Sequence, residues 1–400
     1  MQDNTLSHGD FNSQNLNITL KTLFGLEQAL VEELSELGFN DAKVLNRAVQ
    51  VKGSWKDVYF LNLHSRLALT VLVEIAQFRI REEDDLYKKC MRVDWTEYFS
   101  SSKTFAIKGA IHSTFFKHSQ YPFLVVKDAI VDTFRDKLNT RPDVDVKNAQ
   151  VVFDLYINND VVTLSLNTSG QPLYMRGYRT ETGEAPINEV LAAGLLRLAK
   201  WDKQTPLLDP FCGSGTILIE AALYATGIPS TIERHHYAFK NFKNYNAKLW
   251  EEMHEAEVAK ARQIRSLPVQ IMGGDLSDEM VLKARRNFRA LPFGRFIDIK
   301  ACDFADFKNF DFEKGMVITN PPYGERLKDD MSELYDRVGT WMKHSLPGFD
   351  CWMITSSEEG LKSIGLKPSA KIKLFNGNLE CSYRKYSIFK GSKKELLEKQ

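Results

Sequence analysis

From residue 169 onward the chain alternates apolar, strand-like runs with amphipathic, helix-like runs, and this alternation most constrains its fold. Parallel strands cannot be joined by a tight turn and need a crossover, normally a helix, so the pattern implies a mostly parallel sheet covered on both faces. The periodicity predicts helices over residues 187–199, 216–226, 279–290 and 331–345, and strands over 206–209, 269–273, 297–301, 316–319 and 351–355. Strands expected at 371–375 and 379–389 flank Asn376-Gly377-Asn378, a hairpin signal, so the sheet should end in an antiparallel pair.

The chain before 169 reads differently. Residues 1–15 are polar with little to bury and are expected to form a disordered tail. Strands at 16–20 and 42–48 with helices at 25–37 and 55–67 make one small α+β unit over 16–68. Strands at 69–78, 104–111, 151–157 and 161–166 with helices at 84–93 and 121–138 make a second over 69–168, its last two strands turned by Asn158-Asn159-Asp160. Four hundred residues exceed one core's usual size, which leaves 169–390 as a third unit and the lysine-rich 391–400 as a solvated tail.

Composition narrows the class. An apolar fraction of 43% with 26% charged residues is that of an ordinary globular chain. No apolar run approaches the ~18 residues of a membrane span, and the polar, acidic start is not a signal peptide. The five cysteines are scattered and never in Cys-x-x-Cys spacing, which suggests neither a disulfide framework nor a zinc module. A soluble, cytoplasmic protein is expected, with no metal and no membrane partner. A monomer is favoured.

Leu207-Leu208-Asp209-Pro210-Phe211-Cys212-Gly213-Ser214-Gly215-Thr216 joins an apolar strand to a helix, where glycines let the backbone approach a ligand at the helix N-terminus. The Gly-Lys-Ser/Thr of a phosphate loop is missing, and Leu218 stands where a dinucleotide fingerprint needs Gly or Ala. The form Asp-Pro-x-x-Gly-x-Gly resembles motif I of class I methyltransferases. Asp275, after the next strand, is placed to hold ribose hydroxyls, or to act as a plain helix cap. Asp303 stands where such enzymes accept from the adenine amine, with Asp306 close enough to compete.

Asn320-Pro321-Pro322-Tyr323-Gly324 follows the apolar strand at 316–319 and looks like motif IV of amino-methyltransferases. An exocyclic base amine is a poor nucleophile because its lone pair is delocalised into the ring. The Asn320 side-chain carbonyl and the Pro321 backbone carbonyl can accept its two hydrogens and turn the lone pair outward. Pro321 and Pro322 leave the carbonyls free and fix the loop. Tyr323 can stack on the flipped base.

The net charge of +1 gives no uniformly basic coat, so the distribution matters. Residues 98–127 contain no acid, while Lys103, Lys108, Lys117 and Lys127 alternate with Phe105, Phe115, Phe116, Tyr121 and Phe123, a mixture suited to RNA. The aromatics can equally be core, which leaves the lysines to carry the reading. A second basic, aromatic run, Arg234-His235-His236-Tyr237 through Lys248, could line a substrate groove; its histidines lack partners at zinc spacing. Arg176 and Arg179, in Tyr174-Met175-Arg176-Gly177-Tyr178-Arg179, are candidate phosphate contacts or surface charges. Pro186 and Asn188 stand at the start of the helix predicted from 187.

With motif I, the Asn-Pro-Pro-Tyr loop, the Arg-Gly-Tyr-Arg segment and an α+β front half in this order, the chain resembles the THUMP-domain RNA guanine N2-methyltransferases, whose bacterial branch modifies large-subunit ribosomal RNA. The resemblance implies a ferredoxin-like domain over 16–68, a THUMP domain over 69–168 and a class I, Rossmann-like methyltransferase domain over 169–390. It implies S-adenosylmethionine as cofactor, with Asp209, Phe211, Gly213, Gly215, Asp275 and Asp303 lining its pocket. The segment holding Arg176, Arg179, Pro186 and Asn188 would close over the cofactor's methionine end, and Asn320, Pro321 and Tyr323 would orient the amine. Transfer RNA is an alternative substrate. The same loop also serves adenine N6 in DNA and glutamine amides in protein, and a non-catalytic RNA-binding assembly factor would carry decayed motifs.

Overall fold

The computed structural model describes residues 16–180, 187–322 and 331–390. They form two compact units. The first gathers the chain up to Thr22, Leu30–Leu173 and Arg234–Glu255; the second holds Leu23–Ala29, Tyr174–Glu233 and the chain from Ala256.

In chain order the front part runs β1 (Leu16–Lys21), α1 (Glu27–Glu36), β2 (Lys43–Leu45), β3 (Ala48–Gly53), α2 (Trp55–His64), β4 (Thr70–Arg79), α3 (Glu83–Cys90), β5 (Phe105–His112), α4 (Tyr121–Leu138), β6 (Val151–Asn158) and β7 (Val161–Asn167). Alternation in β1 sends Leu16, Ile18 and Leu20 inward and leaves Asn17 and Thr19 half-exposed. A reciprocal cap starts α2: Asp57 N donates to Ser54 Oγ while Ser54 N donates to Asp57 Oδ2 at 2.7 Å.

The two expected α+β units share one seven-stranded sheet, ordered β2-β3-β1-β4-β7-β6-β5 among the described residues, because β4 pairs with both β1 and β7. The strand expected at 42–48 is in fact a hairpin. Arg47 takes φ 53° between β2 and β3, and without a glycine in Asn46-Arg47 the turn carries no sequence signal.

Residues 234–255, read from sequence as part of the third unit, fasten to the first. The Arg234 guanidinium donates to the carbonyls of Pro172 at 2.9 Å and Gln171 at 2.6 Å. Phe239 N donates to Thr168 O at 3.0 Å, and the Phe239 ring packs 4.6 Å from that of Tyr59. Burial holds the Tyr59 hydroxyl protonated, pushing its pKa up to about 12.

The rest runs α5 (Glu189–Leu198), β8 (Leu207–Asp209), α6 (Thr216–Thr226), α7 (Ala247–Gln263), β9 (Ile271–Asp275), α8 (Asp278–Phe288), β10 (Asp298–Ala301), β11 (Met316–Thr319), α9 (Met331–Ser345), β12 (Asp350–Thr355), α10 (Glu358–Ser363), β13 (Ala370–Asn376) and β14 (Leu379–Ser387). Helices α7 and α10 were not expected from the sequence. The second sheet is ordered β10-β9-β8-β11-β12-β14-β13; the first five strands are parallel and β14 runs antiparallel to both its neighbours. One core of this unit joins Leu208 and Val317 of the central strands to Val338, Trp341 and Met342 of α9. Strand order reverses at β8, where the crossovers on either side diverge and open a crevice beyond the carboxyl ends of β8 and β11. No helix among the described residues is long and apolar enough to cross a membrane.

Candidate active site

The crevice is a cavity of about 530 Å³ within the second unit. Eight of the residues singled out in the sequence line it: Asp209, Phe211, Gly213, Asp275, Asp303, Asn320, Pro321 and Pro322. Its geometry starts at the end of β8. Gly213 and Gly215 take φ 53° and 83°, the left-handed region that favours glycine, and turn the chain into α6. A methyl group on Gly215 would stand 2.5 Å from Phe288 Cε1, so the bare backbone lets the first turn of α6 press against α8. Gly215 thus forms the wall behind the cavity rather than its lining.

Asp275 ties two loops together, its Oδ2 accepting from Gly213 N and its Oδ1 from Ser277 N, each at 3.0 Å. The helix cap that might have explained this aspartate belongs to Ser277, whose Oγ accepts from Met280 N. Asp209 is buried and accepts from Thr319 Oγ1 at 2.7 Å, joining the ends of β8 and β11. Burial raises its carboxyl pKa to about 7, against the lowering effect of the Thr319 hydroxyl and the Phe211 amide.

Asp303 lines the cavity and Asp306 does not; Asp306 faces a separate surface depression. Asp303 Oδ1 accepts from Ala305 N at 2.9 Å and Oδ2 from Arg337 Nη2 at 3.0 Å. The Arg337 guanidinium also lies 5.1 Å from the Phe304 ring centroid, and Phe304 faces Phe211 at 5.2 Å. Phe304 and Arg337 were missed in the sequence: one is a single aromatic in a short turn, the other sits 34 residues from its carboxylate on a helix that reads as ordinary.

Asn320 ends the lining. Its Oδ1 is buried with no hydrogen-bond partner among the described residues. Beside it, Tyr335 Oη reaches Thr355 Oγ1 at 2.7 Å and Pro322 O at 3.5 Å, fixing the loop from behind. Tyr323 and Pro186 lie outside the described residues.

Three expected site residues do other work. Asn188 is not in the cavity lining; it caps α5, its Oδ1 accepting from Val190 N at 2.9 Å and Leu191 N at 3.2 Å. Arg176, read as a phosphate contact, is fully buried against Glu220, which also accepts from Tyr178 Oη at 2.8 Å. Arg179 is turned inward as well: it donates to Ile187 O at 2.9 Å and Thr216 Oγ1 at 2.6 Å and pairs with Glu189, so it knits the start of α5 to that of α6. The four lysines separate. Lys108 is exposed on β5 and Lys117 exposed beyond it, whereas Lys103 donates to Asn241 Oδ1 at 3.2 Å and Lys127 is paired with Asp128. Of the aromatics between them, Phe105 and Phe116 are core.

A family model described as RMKL-like methyltransferase domain matches residues 176–385. The chain belongs to the RMKL-like methyltransferase family. Models of the RlmL ferredoxin-like domain and the THUMP domain match residues 17–72 and 81–167. A ribosomal RNA large subunit methyltransferase K/L of Psychromonas ingrahamii is 35% identical over 377 residues, 93% of this chain and 50% of that protein. Its namesake in Shewanella baltica strain OS195 is 36% identical over 92% of this chain and 52% of its own length. The chain therefore spans about half the length of these curated relatives. A crystal structure of a chain provisionally named a methyltransferase and solved in complex with SAH superposes with TM-score 0.81 at 27% identity, covering 95% of this chain and all of that one. The strand order and antiparallel end of the second sheet are those expected of the class I methyltransferase fold.

Proposed function

We propose that the chain uses S-adenosylmethionine to methylate the exocyclic N2 amine of a guanine, with large-subunit ribosomal RNA as substrate, in the cytoplasm. The observation that carries the reading is the orphaned Asn320 Oδ1 in the cavity lining. A buried acceptor without a donor costs about 1 to 3 kcal/mol, and a planar amine in the cavity supplies the missing hydrogen. The backbone carbonyl of Pro321 accepts the amine's second hydrogen. Two acceptors in the plane of the amine leave its lone pair directed out of the ring, which is the orientation a nitrogen nucleophile needs.

The residues present fit the cofactor. The Asp275 carboxylate suits ribose hydroxyls, and Asp303, held by Arg337 and flanked by Phe304 and Phe211, suits an adenine. Gly213 keeps the backbone bare where the ligand approaches the start of α6. S-adenosylmethionine supplies the electrophilic methyl carbon. RNA as substrate is supported by the THUMP match and by the names of the curated relatives.

Mapping N2-methylguanosine in ribosomal and transfer RNA from cells with and without the gene tests this reading. Loss of one mark in large-subunit ribosomal RNA is expected, restored by the wild-type gene and not by Asn320→Ala. Unchanged marks in both RNA pools overturn the RNA reading; full rescue by Asn320→Ala overturns the amine-orienting role.

A further inference from the structure

A second concavity, of about 710 Å³, lies wholly within the first unit and is not used in the reading above. Stretches far apart in sequence meet there: Lys21 at the end of β1, Lys108 on β5, Lys147 before β6, and His235, His236 and Lys240 from the fastened segment. A single carboxylate, Asp154, stands among them, and Lys21 is paired with it. Lys108 and Lys147 are exposed and make no ion pair among the described residues. Lys240, half-buried, donates to the backbone carbonyl of His235 and lies over the rings of Tyr237 at 5.9 Å and Trp250 at 5.4 Å.

The groove is built rather than incidental. Arg234 anchors the segment to three backbone carbonyls, those of Ser169, Gln171 and Pro172, and this fixes the exposed His235 and His236 at the rim. Gly109, in the lining, takes φ 148°, and any side chain there would meet the β6 backbone 2.0 Å away. Two exposed ammonium groups without an acid partner among the described residues, with the half-buried Lys240 beside them, focus in this concave surface a positive potential that a polyanion answers. Tyr237 and Phe239 are buried and stacked on each other at 5.0 Å, so they are not free to stack on bases. The chemistry offered is contact with a phosphodiester backbone, supplemented by the side-chain amides of Asn148 and Gln150 for hydroxyls.

We propose that this groove is a sequence-tolerant track for a single-stranded segment of the RNA substrate, holding about three phosphates on Lys108, Lys147 and Lys240. The proposal rests on the RNA reading above and adds a place for the strand. For single strands, each phosphate contact contributes about −0.7 to the slope of log affinity against log salt. Lys108→Ala/Lys147→Ala is therefore expected to lower that slope's magnitude by about 1.4 and to weaken binding roughly 25-fold at 0.1 M salt.

The test titrates the full chain with a fluorescent oligouridylate and with a large-subunit ribosomal RNA transcript at several salt concentrations. It compares this double variant with Lys108→Arg/Lys147→Arg and with Lys43→Ala/Lys52→Ala, which removes the same charge from exposed positions outside the groove. Loss in the first alone, with affinity for S-adenosylhomocysteine unchanged, supports the groove. Equal losses in both alanine pairs, or none in either while the wild type binds and methylates the transcript, overturn the groove and leave the methylation reading standing. A wild type that binds S-adenosylhomocysteine but neither RNA overturns both.

Discussion

At the scale of single residues, Asn320 shows how a site can be held at the expense of stability. Its Oδ1 is buried without a partner among the described residues, so Asn320→Ala should leave thermal stability unchanged or slightly raised while kcat for methyl transfer falls about 100- to 1000-fold, the usual cost of deleting a preorganised polar group. Affinity for S-adenosylhomocysteine should stay within about twofold. Paired melting curves and single-turnover rates check this; a variant several degrees less stable, or as active as the parent, rejects the assignment. Asp209 makes a second case. Its folded-state carboxyl is raised from 3.8 to about 7, so its contribution to stability is fully present below pH ~4 and is lost as pH rises through about 7. The loss is on the order of 4 kcal/mol at pH 8. Asp209→Asn cannot ionise, and the stability difference between variant and wild type, measured by urea unfolding without cofactor, should move in the variant's favour between pH 5 and 8. A difference that stays flat over that range contradicts a carboxyl buried in this way.

Among elements, the segment holding Arg176 and Tyr178 is locked to α6 through Glu220, and both members of the Arg176–Glu220 pair are fully buried. Removing one partner strands the other charge, so Arg176→Ala should cost about 3 to 5 kcal/mol, whereas Arg176→Met/Glu220→Gln should recover much of the loss. Urea unfolding reads both, and a harmless Arg176→Ala would return this arginine to the surface role first read from the sequence. That misreading has a physical origin. Nothing local marks an arginine as buried when its carboxylate lies 44 residues on. What was legible rests on local physics: the alternation in β1, the strand–helix period from 169, and the glycines that a left-handed turn at 213 and 215 requires. What was not legible rests on long-range pairing, as with Arg337 on Asp303, or on turns lacking a glycine, as at Arg47. Asn188 caps α5, the first service of a polar residue standing before a helix.

For the whole molecule, net charge decides how the substrate is felt. At +1 the chain has almost no overall field to steer a polyanion, so any strong salt dependence must arise from a local concentration of charge. The cavity of the second unit, with Asp209, Asp275 and Asp303 in its lining, cannot supply it; the groove of the first unit can. Binding energy gained on phosphates away from the reacting amine is the same in ground and transition states, and such uniform binding changes KM without changing kcat. With about three contacts, raising salt from ~50 to ~200 mM should increase KM for RNA roughly 20-fold while kcat holds within about twofold. In Lys108→Ala/Lys147→Ala the same change should raise KM only about threefold, from an already weakened value. Steady-state rates on a ribosomal RNA transcript at the two salt concentrations distinguish this division of labour from its opposite: salt that lowers kcat as strongly as it raises KM would mean that the charged contacts act on the chemical step itself.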